Sequence, residues 1–322
     1  MPKLLDKASL THVALDYTGA TNVSDVLKNL SGVAASGDFL WTASDEGRTV
    51  ECLVAQGRGY KLHKQFKIDA LFDKIAPGKE CDLEDMAIEH DRLWLCGSHC
   101  EVRLESKDKG KISAGIRPRL SRNILGSIGL EKDGSGPIGD GEVLAPKGKG
   151  SLRRALRKDI YLDRFLDVPS KENGLDIEGC AMLGTKLLLG LRGPVVDSHA
   201  IVLELPAKGN LPDTGRKAKR HFLNLGGFGI RGLARHDASL LVLAGPVTAA
   251  PGEFHIHRWR PSTPDRVQNP EIVHDFVHSA EKPEGICVLS LNGRAGLLIV
   301  YDSPGKSRIK GTRYLADWYA FA

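Results

Sequence analysis

Short apolar runs recur along the chain in pairs, and each pair is split by a polar or glycine-containing turn. The first members are Leu30-Ser-Gly-Val-Ala34, Leu83-Glu-Asp-Met-Ala87, Ile177-Glu-Gly-Cys-Ala181, Ile230-Arg-Gly-Leu-Ala234 and Pro283-Glu-Gly-Ile-Cys287. The second members are Leu40-Trp-Thr-Ala43, Leu93-Trp-Leu-Cys96, Leu187-Leu-Leu-Gly190, Leu240-Leu-Val-Leu243 and Leu297-Leu-Ile-Val300. Two short apolar runs around such a turn predict a β-hairpin. In the fifth pair the segment Ser290–Arg294 predicts a longer turn.

The spacing of the pairs sets the architecture. Ser31 to Glu84, Glu178 to Arg231 and Arg231 to Glu284 are each 53 residues, and Glu84 to Glu178 is 94. Repeats of about 40–50 residues are the signature of a propeller blade of four strands. Further alternating segments supply the outer strands, among them His199–Leu205, His221–Leu225, Phe254–Trp259 and Glu271–Phe276. The chain therefore reads as all-β, a five-bladed β-propeller forming a single domain over 1–322. The long gap reads as an insertion, 101–172, in the second blade. It is partly helical, because Leu152, Leu156 and Ile160 are spaced four apart. A six-bladed ring, with a degenerate blade in that gap, is the alternative. The isolated strand His12–Asp16 and the terminal strand Tyr314–Phe321 predict closure of the ring by pairing of the two chain ends, which removes an exposed edge.

Composition narrows the class. Hydrophobic residues make up 41% and charged residues 26% of the 322, with 36 glycines for tight turns. A formal net charge of +5 is spread along the chain, with denser regions at Arg153–Lys158 and Arg216–Arg220. That distribution lacks the single aromatic-studded basic stripe of a dedicated nucleic-acid binder. No secretory pattern follows Met1, and no run reaches the roughly 18 apolar residues of a membrane span. Six cysteines with no second close pair argue against a zinc site. The expectation is a cytoplasmic protein with reduced thiols.

In a propeller the innermost strand of each blade starts at the face to which the second strand returns. The five starts carry Ser31, Glu84, Glu178, Arg231 and Glu284, and the five ends carry Asp45, Ser98, Arg192, Gly245 and Asp302, with Glu46 and His99 adjacent. Asp45, Glu84, Glu178, Glu284 and Asp302 thus converge on one mouth, where unneutralised carboxylates would repel one another. Such oxygen donors suit Ca²⁺ or Mg²⁺, with Asp45, Glu84, Glu284 and Asp302 as candidate metal ligands. Arg192 and Arg231 are candidate binders of a small anionic molecule. His99 and Glu178 are candidate catalytic groups. The competing explanation is architectural: a Glu beside Gly at a strand start can accept backbone N–H groups from the next blade. His255 and His257 alternate on a strand expected to lie on the outside, and Gly226–Gly229 lacks the strand–turn–helix setting of a phosphate loop.

The segments Ala43–Gly47, Leu95–His99, Gly174–Cys180, Leu191–Pro194, Lys282–Gly285 and Val300–Pro304 resemble the bacterial domain-of-unknown-function family numbered thirty-six sixteen. More loosely, Asp176-Ile-Glu-Gly179 and Ser44-Asp-Glu-Gly47 resemble motifs of the esterase-like phytase propellers. That resemblance implies metal-assisted phosphoester hydrolysis at the mouth. The alternative is a non-catalytic propeller whose rim binds a protein partner.

Overall fold

The computed structural model describes residues 4–248, 252–276 and 281–322. The fold is all-β and propeller-like. Strands are grouped in antiparallel sets of four, each beginning at one of the repeated glutamate or glycine motifs. The first set is Leu30–Ser36, Phe39–Ser44, Thr49–Gln56 and Gly59–Lys67. The second is Leu83–Ile88, Arg92–Gly97, Leu125–Leu130 and Pro137–Val143. The third is Asp176–Leu183, Lys186–Gly193, Ala200–Lys208 and Lys219–Leu223, and the fourth is Gly229–His236, Ser239–Gly245, Phe254–Trp259 and Glu271–Phe276. The last is Lys282–Leu291, Arg294–Asp302 and Arg313–Ala320, completed by Thr11–Asp16 from the other end of the chain.

The innermost strand of every set lies against the innermost strand of the next, and Lys282–Leu291 returns to Leu30–Ser36. This approach is close. A Cβ at Gly285 would stand 2.5 Å from the Ser31 carbonyl oxygen, and one at Gly232 would stand 2.9 Å from the Glu284 carbonyl oxygen. The register-equivalent position in the second set is Asp85, whose carboxylate reaches across the ring. It accepts the backbone N–H groups of Met86 at 2.8 Å, Cys180 at 2.7 Å and Leu233 at 3.3 Å. Those three donors occupy equivalent positions on three inner strands. Burial raises the Asp85 pKa well above the ordinary carboxylate range, against the pull of these donors.

Apolar side chains pack between adjacent sets. Trp41 and Leu93 join the first and second, Trp94 and Cys180 the second and third, Leu188 and Val242 the third and fourth, Leu243 and Ile299 the fourth and last. Leu15, Tyr60 and Leu298 close the circuit between last and first. The expected strand pairing at the ends is present, with Val13 opposite Ala316 and Thr11 opposite Trp318. Asp317 clasps this closure. It accepts hydrogen bonds from His12 Nδ1 at 2.8 Å, the Tyr301 hydroxyl at 2.7 Å and both Nη atoms of Arg308 at 2.8 Å.

Two local expectations change. The turn at Ser290–Arg294 is short, because Asn292 and Gly293 both adopt positive φ and form a two-residue hairpin loop. The added residues lengthen the two strands instead. Asn-Gly is the pair that tolerates this mirror-image turn. Segment 101–172 is divided: Leu125–Leu130 and Pro137–Val143 belong to the second sheet, while a hairpin at Glu101–Arg103 and Ile116–Pro118 and a helix at Leu152–Leu156 flank them. Ser151 caps that helix by accepting the Arg154 N–H at 3.2 Å. Leu152 and Leu156 are buried, but Ile160 lies beyond the helix and is 65% exposed.

This packing can be tested at the closure and on the axis. Removing residues 1–16 takes away the closing strand and the His12 hydrogen bond; the expected result is a lower thermal midpoint and concentration-dependent association through the bared edge. An unchanged midpoint would argue against closure as a stabilising element. Asp85→Ala leaves three buried N–H groups without an acceptor, and the loss of stability measured by urea unfolding should be about 3 kcal/mol or more.

Candidate functional site: an acidic channel mouth

Every inner strand breaks its hairpin register at the same residue position. The shifts fall between Leu30 and Gly32, Leu83 and Asp85, Ile177 and Gly179, Ile230 and Gly232, and Pro283 and Gly285. The residues left unpaired are therefore Ser31, Glu84, Glu178, Arg231 and Glu284. A bulge re-aims the side chain it carries, and here the same position is bulged in every set. All five of these residues are buried.

Around the ring they form a chain of charge. Arg231 bridges two neighbours, with Nη1 2.9 Å from a Glu178 oxygen and Nη2 hydrogen-bonded to Glu284 Oε1. Arg192, at the end of its second strand, places Nη1 2.7 Å from Glu178 Oε1 and Nη2 against Asp176 Oδ2. The Nε atoms of both arginines lack a hydrogen-bond acceptor among the described residues. Ser31, where three other sets carry glutamate, donates its hydroxyl to the Leu83 carbonyl.

Glu84 is different. It is 8% exposed, and its side chain has no hydrogen bond or ion pair among the described residues; its oxygens keep contact with solvent. One oxygen each from Glu84, Asp176 and Glu178 lie within 4.8 Å of one another. Asp176 Oδ1 and Glu284 Oε2 are buried without a hydrogen-bond partner among the described residues. Burial, reinforced by Asp82, Glu178, Asp176 and Asp45, raises the Glu84 pKa well above the usual carboxylate range.

The second-strand ends complete the mouth. Asp45 N–H donates to the Asn29 carbonyl at 3.2 Å, and Asn29 forms a β-bridge with Asp302, so the two aspartates flank one residue. Asp302 faces Lys282 at 3.8 Å. Burial, then Asp82 and Asp302, push the Asp45 pKa up to about 8. Asp82 accepts from Ser98 Oγ and from Arg122 Nη1, the latter at 2.8 Å. Burial nevertheless raises it to about 6. His99 is buried with φ +55; its Nε2 stands 3.1 Å from the Ile124 carbonyl, and its Nδ1 has no partner among the described residues. Burial lowers its pKa to about 3, so the imidazole is neutral near pH 7. Gly245 gives the fourth set no side chain here, and a Cβ would meet the Phe254 ring at 2.5 Å.

The structure thus gathers Glu84, Glu178, Glu284, Arg192 and Arg231 into one charged network, with Asp45 and Asp302 coupled to it from the rim. His99 faces backbone. Asp176, Asp82 and Arg122 join the site although none was among the candidate site residues. The signal for two of them was present, since Asp82-Leu-Glu84 and Asp176-Ile-Glu178 repeat the same spacing. Among the described residues, seven carboxylates (Asp45, Asp82, Glu84, Asp176, Glu178, Glu284, Asp302) meet four cations (Arg122, Arg192, Arg231, Lys282). Carboxyl groups outnumber cations at the mouth, and the raised pKa values of Asp45 and Glu84 record their burial and mutual repulsion. Beyond Asp85, the same strands border a cavity of about 100 Å³, lined by residues such as Val33, Met86, Cys180, Leu233 and Arg235.

A family model matches residues 29–317, which include all of these bulged residues. The chain belongs to the family described as protein of unknown function DUF3616. No curated protein matches it. Among solved structures, this DUF3616 chain is similar to glutaminyl cyclase from Myxococcus xanthus, at 9% identity and TM-score 0.46, covering 97% of each chain. It is similar to the PQQ-bound aldose sugar dehydrogenase from Streptomyces coelicolor at 10% identity and TM-score 0.41, covering 96% of this chain and 98% of that one. It is also similar to the Cps50 (Swd1) β-propeller domain from Myceliophteria thermophila at 12% identity and TM-score 0.33, covering 90% and 99%. At these values the likenesses carry nothing about chemistry. No helix among the described residues is long and apolar enough to cross a membrane.

The shifted carboxyls give a pH prediction. An acid whose pKa is raised on folding contributes stability below its ordinary range, and that contribution is lost as pH rises through the folded value. For Asp45 the window runs from its ordinary 3.8 to about 8. His99 acts oppositely below its ordinary 6.5, where the unfolded chain takes up the proton first. In the presence of chelator, the urea midpoint should therefore fall between pH 6.5 and pH 8, and Asp45→Asn should flatten that fall. A wild-type midpoint that rises across this interval would contradict the assignment.

Proposed function

We propose that the chain is a five-bladed propeller whose channel mouth binds a divalent cation, Ca²⁺ or Mg²⁺, and uses it in metal-assisted hydrolysis of a phosphoester. The blade count is supported by five inner strands in cyclic contact, each with its bulge at the same register position. The single observation that carries the cation is the cluster at Glu84: one oxygen each from Glu84, Asp176 and Glu178 lie within 4.8 Å of one another, and the Glu84 side chain has no hydrogen bond or ion pair among the described residues. Crowded carboxyls resist ionising together, and a cation is the partner that fits an all-oxygen donor set. Glu84, Asp176 and Glu178 would hold the ion, with Asp45, Glu284 and Asp302 shaping the surrounding field.

A bound divalent ion supplies Lewis-acid activation of a phosphoryl oxygen and of water. The chain's own groups do the rest. Once a cation shares Asp176 and Glu178, the guanidinium donors of Arg192 and Arg231 become available to an anionic oxygen. The field of the remaining carboxylates disfavours free anions, so phosphate binding is expected to depend on the metal.

The test begins with chelator-treated protein titrated calorimetrically with Ca²⁺ and with Mg²⁺. Wild type should bind one of them and gain about 2.7 kcal/mol of stability at a hundredfold excess over Kd. Glu84→Gln should lose binding while remaining at least as stable as metal-free wild type, because it removes an acid crowded by other carboxyls. Hydrolysis of an aryl phosphate should require both the cation and Glu84. Absence of a metal-dependent shift in wild type defeats the cation reading. Metal binding without hydrolysis of any phosphoester tested defeats the enzymatic part.

A further inference from the structure

A second charged feature lies away from the mouth and has the opposite sign. The helix Leu152–Leu156 packs its buried Leu152 and Leu156 on the third set of strands, leaving its other face beside the turn that precedes Lys219–Leu223. Between them runs a groove of about 730 Å³, floored by Leu205 and rimmed by Lys149, Arg154, Lys158, Arg216 and Lys217. Leu205 pairs with Leu187, next to the hairpin at the end of the sheet remote from the mouth. The groove and the acidic cluster are thus separate sites.

The cations divide into two groups. Arg153 pairs with Glu101 at 2.7 Å, Arg157 with Asp163 at 3.2 Å, and Arg220 with Asp265 at 2.7 Å. Arg220 also binds Asp159 and so ties the helical segment to the third sheet. Lys149, Arg154, Lys158 and Lys217 have no side-chain hydrogen bond or ion pair among the described residues. Arg216 has only a 3.5 Å approach to the nearby Asp213. The one carboxylate lining the groove, Asp159, is already bound to the buried Arg220. Five cations therefore share one concavity with almost no neutralisation. A cleft walled by one sign of charge focuses its field and concentrates counter-ions.

The dimensions and lining identify the occupant. The volume falls in the range of small-molecule sites. No aromatic ring lines the groove, so it lacks the stacking platform with which single-stranded nucleic acid is held. Several cations at fixed spacing match several anionic groups on one molecule, each pairing being charge-assisted. We propose that this groove binds a small, multiply charged oligophosphate-bearing anion, independently of any metal at the channel mouth.

Inorganic tripolyphosphate is the probe. Calorimetric titration in chelator keeps the mouth free of cations, so failure here is distinguishable from failure of the cation reading. Wild type should bind tripolyphosphate more tightly than orthophosphate, and binding should weaken as salt rises. Lys158 and Lys217 are exposed, so Lys158→Glu with Lys217→Glu leaves the packing alone. That pair should weaken tripolyphosphate binding by at least about tenfold, because each reversal replaces a charge-assisted hydrogen bond with repulsion. The same reversal at exposed Lys107 and Lys109, outside the groove, should leave it within about twofold. No binding by wild type, equal weakening in both double variants, or tighter binding of a single-stranded oligonucleotide than of tripolyphosphate overturns the proposal.

Discussion

The inner strands of this ring approach so closely that the same position is glycine in four of the five. Glycine fills it at 32, 179, 232 and 285, and those glycines leave space at the centre. A single aspartate, Asp85, fills that space and ties three strands together through their N–H groups. The bulge that precedes this position turns its residue toward the mouth in all sets. Close packing on the axis and charge at the mouth are thus two consequences of one backbone geometry.

That geometry forces an electrostatic problem and only partly resolves it. Glu178 and Glu284 are bridged by Arg231, and Asp176 and Glu178 by Arg192. Breaking one partner out of such a buried pair typically costs about 3–5 kcal/mol, so both arginines are structural groups in the metal-free chain. Glu84 falls outside the bridges. Its position corresponds to Ser31 in the preceding set, where a neutral hydroxyl simply bonds a carbonyl. Glutamate is the commoner residue at this position, and Glu84 is the one of the three without an ion pair among the described residues. The basic groove on the third set stands apart from the acidic mouth, at the other end of that sheet.

Much of this was legible along the chain. The 53-residue spacing marks the repeat, and the residue chosen to measure it turns out to be the bulged one. The alternation around Val13 and Trp318 announced the closing pair. Hidden were the features that depend on which groups meet. The Asp82 and Asp176 carboxylates needed the bulge to place them beside their neighbours. His99 looked available for proton transfer, but its ring is buried against a carbonyl. The extra residues near Asn292 read as loop because chain length does not say whether residues extend a strand or a turn.

The repeat, the inner-strand register and the sign of each charge are written in the order of residues, because period, glycine placement and ionisable type are local properties. Partnership is not local. Whether Arg231 faces solvent, a ligand or two glutamates 53 residues away on either side depends on the closure of the ring. Whether Glu84 is paired or alone depends on the same closure. Likewise, the cations at 149–158 and 216–217 form a groove only because the helix packs on the third sheet. Charge type follows from sequence; charge compensation follows from distance, and distance between remote residues exists only in the folded chain.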